Sequence, residues 1–147
     1  MASTTIRTLR SVIVLASMVA MLSAAPLAGA RTPAPEGAEV YFIAPTDGAT
    51  LKSPVTVHFG MRGMGVAPAG VEMPKTGHHH LILNAPLPPM DQGIPADERH
   101  IHFGGGQTEV RLELPPGKHE MQLLVGDHLH IPHEPPIMSD RITITVE

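Results

Sequence analysis

Residues 108–127 read TEVRLELPPGKHEMQLLVGD, and this stretch decides the fold class. Val110, Leu112 and Leu114 alternate with Glu109, Arg111 and Glu113, a period of two that puts apolar side chains on one face of an extended strand. Pro115, Pro116 and Gly117 turn the chain, and EMQLLVGD (120–127) brings it back. The same pattern recurs outward in both directions. EVYFIAP (39–45) and VTVHFGM (55–61) alternate, the latter with Val55, Val57 and Phe59 on one face, and TDGATLKSP (46–54) between them is turn material around Asp47-Gly48. HHLIL (79–83) and RHIHF (99–103) read as short strands, and RITITVE (141–147) closes the chain with Ile142, Ile144 and Val146 inward. A long Pro-rich loop, NAPLPPMDQGIPADE, covers 84–98, and Gly104-Gly105-Gly106 reads as a turn where backbones pass closely. No window of useful length beyond residue 30 shows helical periodicity. Short strands at turn-separated intervals predict a single all-β domain over 39–147, an antiparallel β-sandwich.

The first thirty residues follow other rules. Arg7 and Arg10 precede an apolar run from Val12 to about Ala25, and Ala28 and Ala30 supply the small-x-small form of a cleavage site. The run is shorter than the ~20 residues that span a bilayer. Residues 1–30 are therefore expected to be a cleaved signal peptide, followed by a flexible leader at 31–38, RTPAPEGA, and then the sandwich, of Ig-like or cupredoxin-like kind. The protein is expected in the periplasm or secreted, with no stable membrane insertion after cleavage.

Removing those residues from the 147 leaves 117, a size suited to one domain. Eight basic residues then face fourteen acidic ones, a formal charge of −6. With no basic stripe, one Tyr, three Phe and no Trp, the chain offers nothing for phosphates or bases to bind, so no nucleic-acid partner is expected. There is no cysteine, hence no disulfide framework, no lipid-anchored cysteine and no thiolate ligand.

All ten histidines lie beyond residue 30 and outnumber the basic residues there. They come as GHHH (77–80), HIH (100–102) and HLHIPH (128–133), with His58 and His119 alone. On a strand, positions i and i+2 share a face with backbones about 6.6 Å apart. Two such imidazoles can lean onto one ion, as His78 with His80, His100 with His102, and His128 with His130 would. Pro132 ends the last run and lets His133 fold back as a loop ligand. The expected ligands are His80, His102, His130 and His133, with His78 next, and Asp127 or Glu134 is expected to accept a ring N–H. Imidazole suits copper or zinc, and copper is preferred at equal geometry. Protons compete for the same nitrogens, so binding is expected to fade below about pH 6.5. Met61 and Met64 could bind Cu(I), although methionine more often fills core gaps.

GHHH, GGGQT (104–108), LPPG-x-H (114–119) and GD-x-x-H-x-PH-x-PP (126–136), with PTDGATLKSPVTVHFGM before them and SDRITITV after, resemble a family of exported bacterial domains of unknown function, number 4399 in its series. The resemblance spans about 40–147 and implies one domain, with motif positions at His78, His79, His80, His102, His119, His130 and His133; His100 and His128 fall outside the pattern. A partial similarity to periplasmic copper chaperones of the cupredoxin-like type rests on the His79–Met90 spacing and on His119-Glu120-Met121, while the middle spacing and the surrounding sequence depart from it.

Three functions follow. The first is a metal-binding module for copper or zinc, acting in binding, delivery or protection, with the ion as its partner and no protein partner specified. The second is a metal-dependent enzyme of superoxide-dismutase-like or oxidase type, although no separate general base, G-x-S-x-G elbow or phosphate loop accompanies the histidines. The third is an Ig-like interaction domain in which the histidines only hydrogen-bond.

Overall fold

A computed structural model describes residues 31–147; the segment read as a signal peptide lies outside them. Nine strands follow in chain order: β1 (Glu39–Ala44), β2 (Thr50–Leu51), β3 (Val55–Arg62), β4 (Gly65–Val66), β5 (Thr76–Leu83), β6 (His100–His102), β7 (Glu109–Leu112), β8 (Gly117–Gly126) and β9 (Ile142–Val146). The described residues contain no helix, and so none long and apolar enough to cross a membrane. One sheet runs β1-β3-β7 and the other β2-β9-β8-β5-β4, with β6 also on β5. The architecture is the expected all-β sandwich. Its long pairings are antiparallel, while the two-residue strands β2 and β4 pair in parallel with β9 and β5, so the larger sheet is mixed.

The alternations do what their period requires. Val55, Val57 and Phe59 of β3 pack inward against Leu81 of β5, Leu123 and Val125 of β8, and Ile144 and Val146 of β9. Met61 and Met64 are partly buried against this core, the gap-filling role. The strand read at 79–83 extends back to Thr76, and the returning strand begins at Gly117. Periodicity weakens in both because both of their faces are covered.

That second covering is a smaller apolar layer. Ile82 of β5 and Leu124 of β8 face away from the main core and join Ala85 and Ile94 in a smaller apolar cluster, with Leu87 and Met90 against it. Most of these residues come from the Pro-rich segment 84–98, which folds over the outer face of the larger sheet. Residues 31–38, expected as a flexible leader, are hydrogen-bonded to the domain. The Ala34 amide donates to the Glu134 carbonyl at 2.9 Å, and the Glu134 amide to the Thr32 carbonyl at 2.9 Å. Arg31 donates from Nε to the Pro132 carbonyl at 2.9 Å and pairs with the Glu134 carboxylate.

Candidate metal centre

Alternation along β5 decides which histidines can meet. His79 and Leu81 face the main core, so His78 and His80 face the other way, alongside Ile82. Antiparallel pairing sets His102 of β6 directly opposite His80, hence on the same outer face. The fourth ring comes from a loop: β8 ends at Gly126, and the chain turns so that His130 closes over the other three. Ring centroids are 4.8 Å apart for His78–His80, 4.9 Å for His80–His102, 5.0 Å for His78–His102, 4.7 Å for His102–His130, 5.0 Å for His78–His130 and 6.2 Å for His80–His130.

The donors are dry and uncommitted. His78 and His80 are fully buried, and both ring nitrogens of each, together with Nε2 of His102, have no hydrogen-bond partner in the protein. An unpaired buried polar atom costs about 1–3 kcal/mol. One nitrogen from each of His78, His80 and His102 lies within 4.8 Å of the others. Tetrahedral sites with metal–nitrogen bonds of about 2.0–2.1 Å place their donors roughly 3.3 Å apart. Movements of less than about 1 Å per ring would therefore bring the three onto one ion.

Electrostatics keep the rings in the ligand form. Burial, reinforced by the neighbouring His102 and His130, lowers the pKa of His78 to about 4. Burial followed by His78, His102 and His130 lowers His80 to about 2, and burial followed by His130 lowers His102. His78 and His80 thus stay neutral, with a lone pair available, well below the usual imidazole range, and His102 is shifted in the same direction. The expected fading of binding rests on the ordinary value near 6.5, and burial sets three of the metal-free rings below it.

Two glycines make room for the rings. A Cβ on Gly104 would overlap the His102 ring, and one on Gly126 would lie 2.9 Å from Cε1 of His80 and 3.2 Å from Cα of His130. These are the glycines of GGGQT and of GD-x-x-H, so the close approach expected of the glycine run is an approach to an imidazole.

The loop carrying His130 is tied in its own way. His130 has φ of +66°, a left-handed conformation that side chains other than glycine adopt at a cost. Asp127 Oδ1 accepts the amides of Leu129 at 2.9 Å and Ile131 at 3.0 Å, and Oδ2 accepts the Thr32 hydroxyl at 2.6 Å. Asp127 or Glu134 was expected to hold a ring N–H. Asp127 instead holds the loop, and Glu134 pairs with Arg31.

The remaining expectations separate cleanly. His80, His102, His78 and His130 come together. His133 does not: it is buried, but its Cε1 lies 3.2 Å from where a Cβ on Gly77 would stand, and Gly77 shares the His79 face of β5, opposite the cluster. The proline that was to fold it toward the others bridges to Gly126, and His133 after it packs on the other face. His79 is buried in the main core with its ring centroid 4.8 Å from that of Phe59. His119 contacts the Asn84 amide at 2.9 Å through Nδ1 and the Pro115 carbonyl at 2.8 Å through Nε2. His100 pairs with Asp97 in a surface turn, and His58 pairs with Glu109. The chaperone-like set fails as a site, because His79 and Met121 belong to the main core, Met90 packs on the outer cluster, and His119 is engaged elsewhere. Sequence reasoning missed the part played by Gly104, Gly126 and Thr32. The two glycines had a signal in their motifs; Thr32 had none.

A family model described as Domain of unknown function (DUF4399) matches residues 57–147. The chain belongs to that family. No curated protein and no solved structure matches it.

Proposed function

We propose that this family member is an exported module that binds one copper or zinc ion for storage, delivery or protection, through His78, His80 and His102, with His130 completing the set. The observation that carries the reading is the convergence of three imidazoles with five partnerless nitrogens in a buried site. A histidine kept for structure is expected to resemble His119, with both nitrogens engaged. His79 also lacks partners but lies alone against Phe59; in the cluster such rings converge, which counts against an interaction domain whose histidines only hydrogen-bond. The donor set is all nitrogen and neutral, which suits borderline divalent ions and disfavours calcium or magnesium, whose ligands are oxygen.

The protein should be purified without a histidine tag, stripped with chelator and titrated with Zn(II) and with Cu(II), with bound metal counted by elemental analysis. One ion per chain is expected, bound more tightly than micromolar, with copper ahead of zinc. His80→Ala should abolish that stoichiometry. Weaker binding than micromolar for both ions would sink the proposal. Export is a separate part of the reading: material from the periplasm should begin at Arg31, and a start at Met1 would refute cleavage.

A further inference from the structure

His130 is the one member of the cluster that no strand holds. Its ring is placed by the turn Asp127–Ile131, in which the His130 amide donates to the Asp127 carbonyl at 2.9 Å and the Asp127 amide to the Ile131 carbonyl at 2.9 Å. A residue with φ of +66° relaxes toward negative φ unless its surroundings over-determine it. Here the Ile94 amide donates to the His130 carbonyl at 2.8 Å, and the Asp127 side chain holds the turn from within. Its Oδ1 takes two loop amides at once, which requires the carboxylate to be held at one rotation about its bond to the chain. A third bond to the carboxylate, from outside the loop, comes from the Thr32 hydroxyl, 2.6 Å from Oδ2. Thr32 lies 95 residues away in sequence and outside the 57–147 region shared with the family.

We infer that Thr32 is a positioning residue for the metal centre: through Asp127 it holds the left-handed turn that keeps His130 over the other three rings, and so sets how slowly the ion leaves. The inference rests on the metal-binding reading above. The backbone of Thr32 is independently anchored, its carbonyl accepting the Glu134 amide at 2.9 Å, so replacing the side chain removes the hydroxyl without undocking the segment.

The test uses the untagged protein and three forms of it: unchanged, Thr32→Val and Thr32→Ser. Release of Zn(II) and Cu(II) to a chelator is followed in time, and amide hydrogen exchange at Leu129 and Ile131 is followed without metal. Loss of one hydrogen bond to a carboxylate predicts that Thr32→Val releases the ion about three- to tenfold faster, with faster exchange at both amides, and that Thr32→Ser restores both within about twofold. Ion release or amide exchange unchanged in Thr32→Val, in a protein whose unaltered form binds metal, overturns the inference alone. An unaltered form that binds no ion overturns the metal reading and takes the inference with it.

Discussion

His119 and His80 stand on adjacent strands of one sheet, both buried, and differ in everything that decides what an imidazole can do. His119 has a partner for each nitrogen. His80 has none and lies among three other rings. The comparison teaches that burial alone says little about a histidine's role. What matters is whether its lone pair has been used. A used lone pair stabilises the apo fold, and an unused one in a dry cluster is a liability until something positively charged accepts it.

The largest effect expected from this contrast is on metal affinity. His80→Ala removes a central donor and should weaken binding more than 100-fold, about 2.7 kcal/mol or more, as read by competition with a chelator. His119→Ala should leave affinity unchanged within about twofold, and an equal loss in the two variants would break the comparison.

Acid should separate apo from loaded protein. His78 and His79 fall to about 4 in the fold and His80 to about 2, against an ordinary value near 6.5. Below pH 6.5 the unfolded chain then binds more protons than the folded one, so stability is full above that value and declines as pH falls toward 4. Each group contributes a slope of up to about 1.4 kcal/mol per pH unit, a ceiling reduced by any solvent reaching the rings. Denaturant melts of the apo protein between pH 7 and 4.5 should show the decline. Zn(II) should offset it near pH 6 and lose its effect as protons displace it. A flat profile for the apo protein would mean that the cluster is hydrated and hydrogen-bonded in solution.

Smaller effects sharpen the division. His119→Ala strands the Asn84 amide and the Pro115 carbonyl and should lower unfolding free energy by about 1–3 kcal/mol, with or without metal. Among the loop histidines, His130→Ala should weaken ion binding about tenfold, and His133→Ala should change it less than about threefold, because the latter ring sits on the far face of β5. The reverse order would restore His133 to the ligand set.

The strands were readable because their alternation is plain: Val55, Val57 and Phe59, or Ile142, Ile144 and Val146, admit one face each. The cluster was readable in part for the same reason. H-x-H on a strand points two rings one way, which located His78, His80 and His102. His130 and His133 were not separable, because both follow the last strand and their directions depend on a turn at Asp127 that no periodicity encodes. The loop at 84–98 showed its prolines but not its destination, since Ile94 and Ala85 find their apolar partners only once β5 and β8 are paired. Thr32 was invisible because a contact across 95 residues leaves no trace in local pattern.

The side-by-side histidines of β5 also bear on how the chain folds. Strand pairing can err by one residue, and such a slip exchanges the two faces of a strand. In β5 it would drive the His78 and His80 rings toward Phe59 and turn Leu81 out beside the loop. The GHHH run does not itself mark the register, since His79 already faces Phe59; what a slipped ladder would lose is the meeting of His78 and His80 with His102. An ion captured only by the correctly aligned rings would give folding a checkpoint, withholding its stabilisation from every chain whose ladder is out of step.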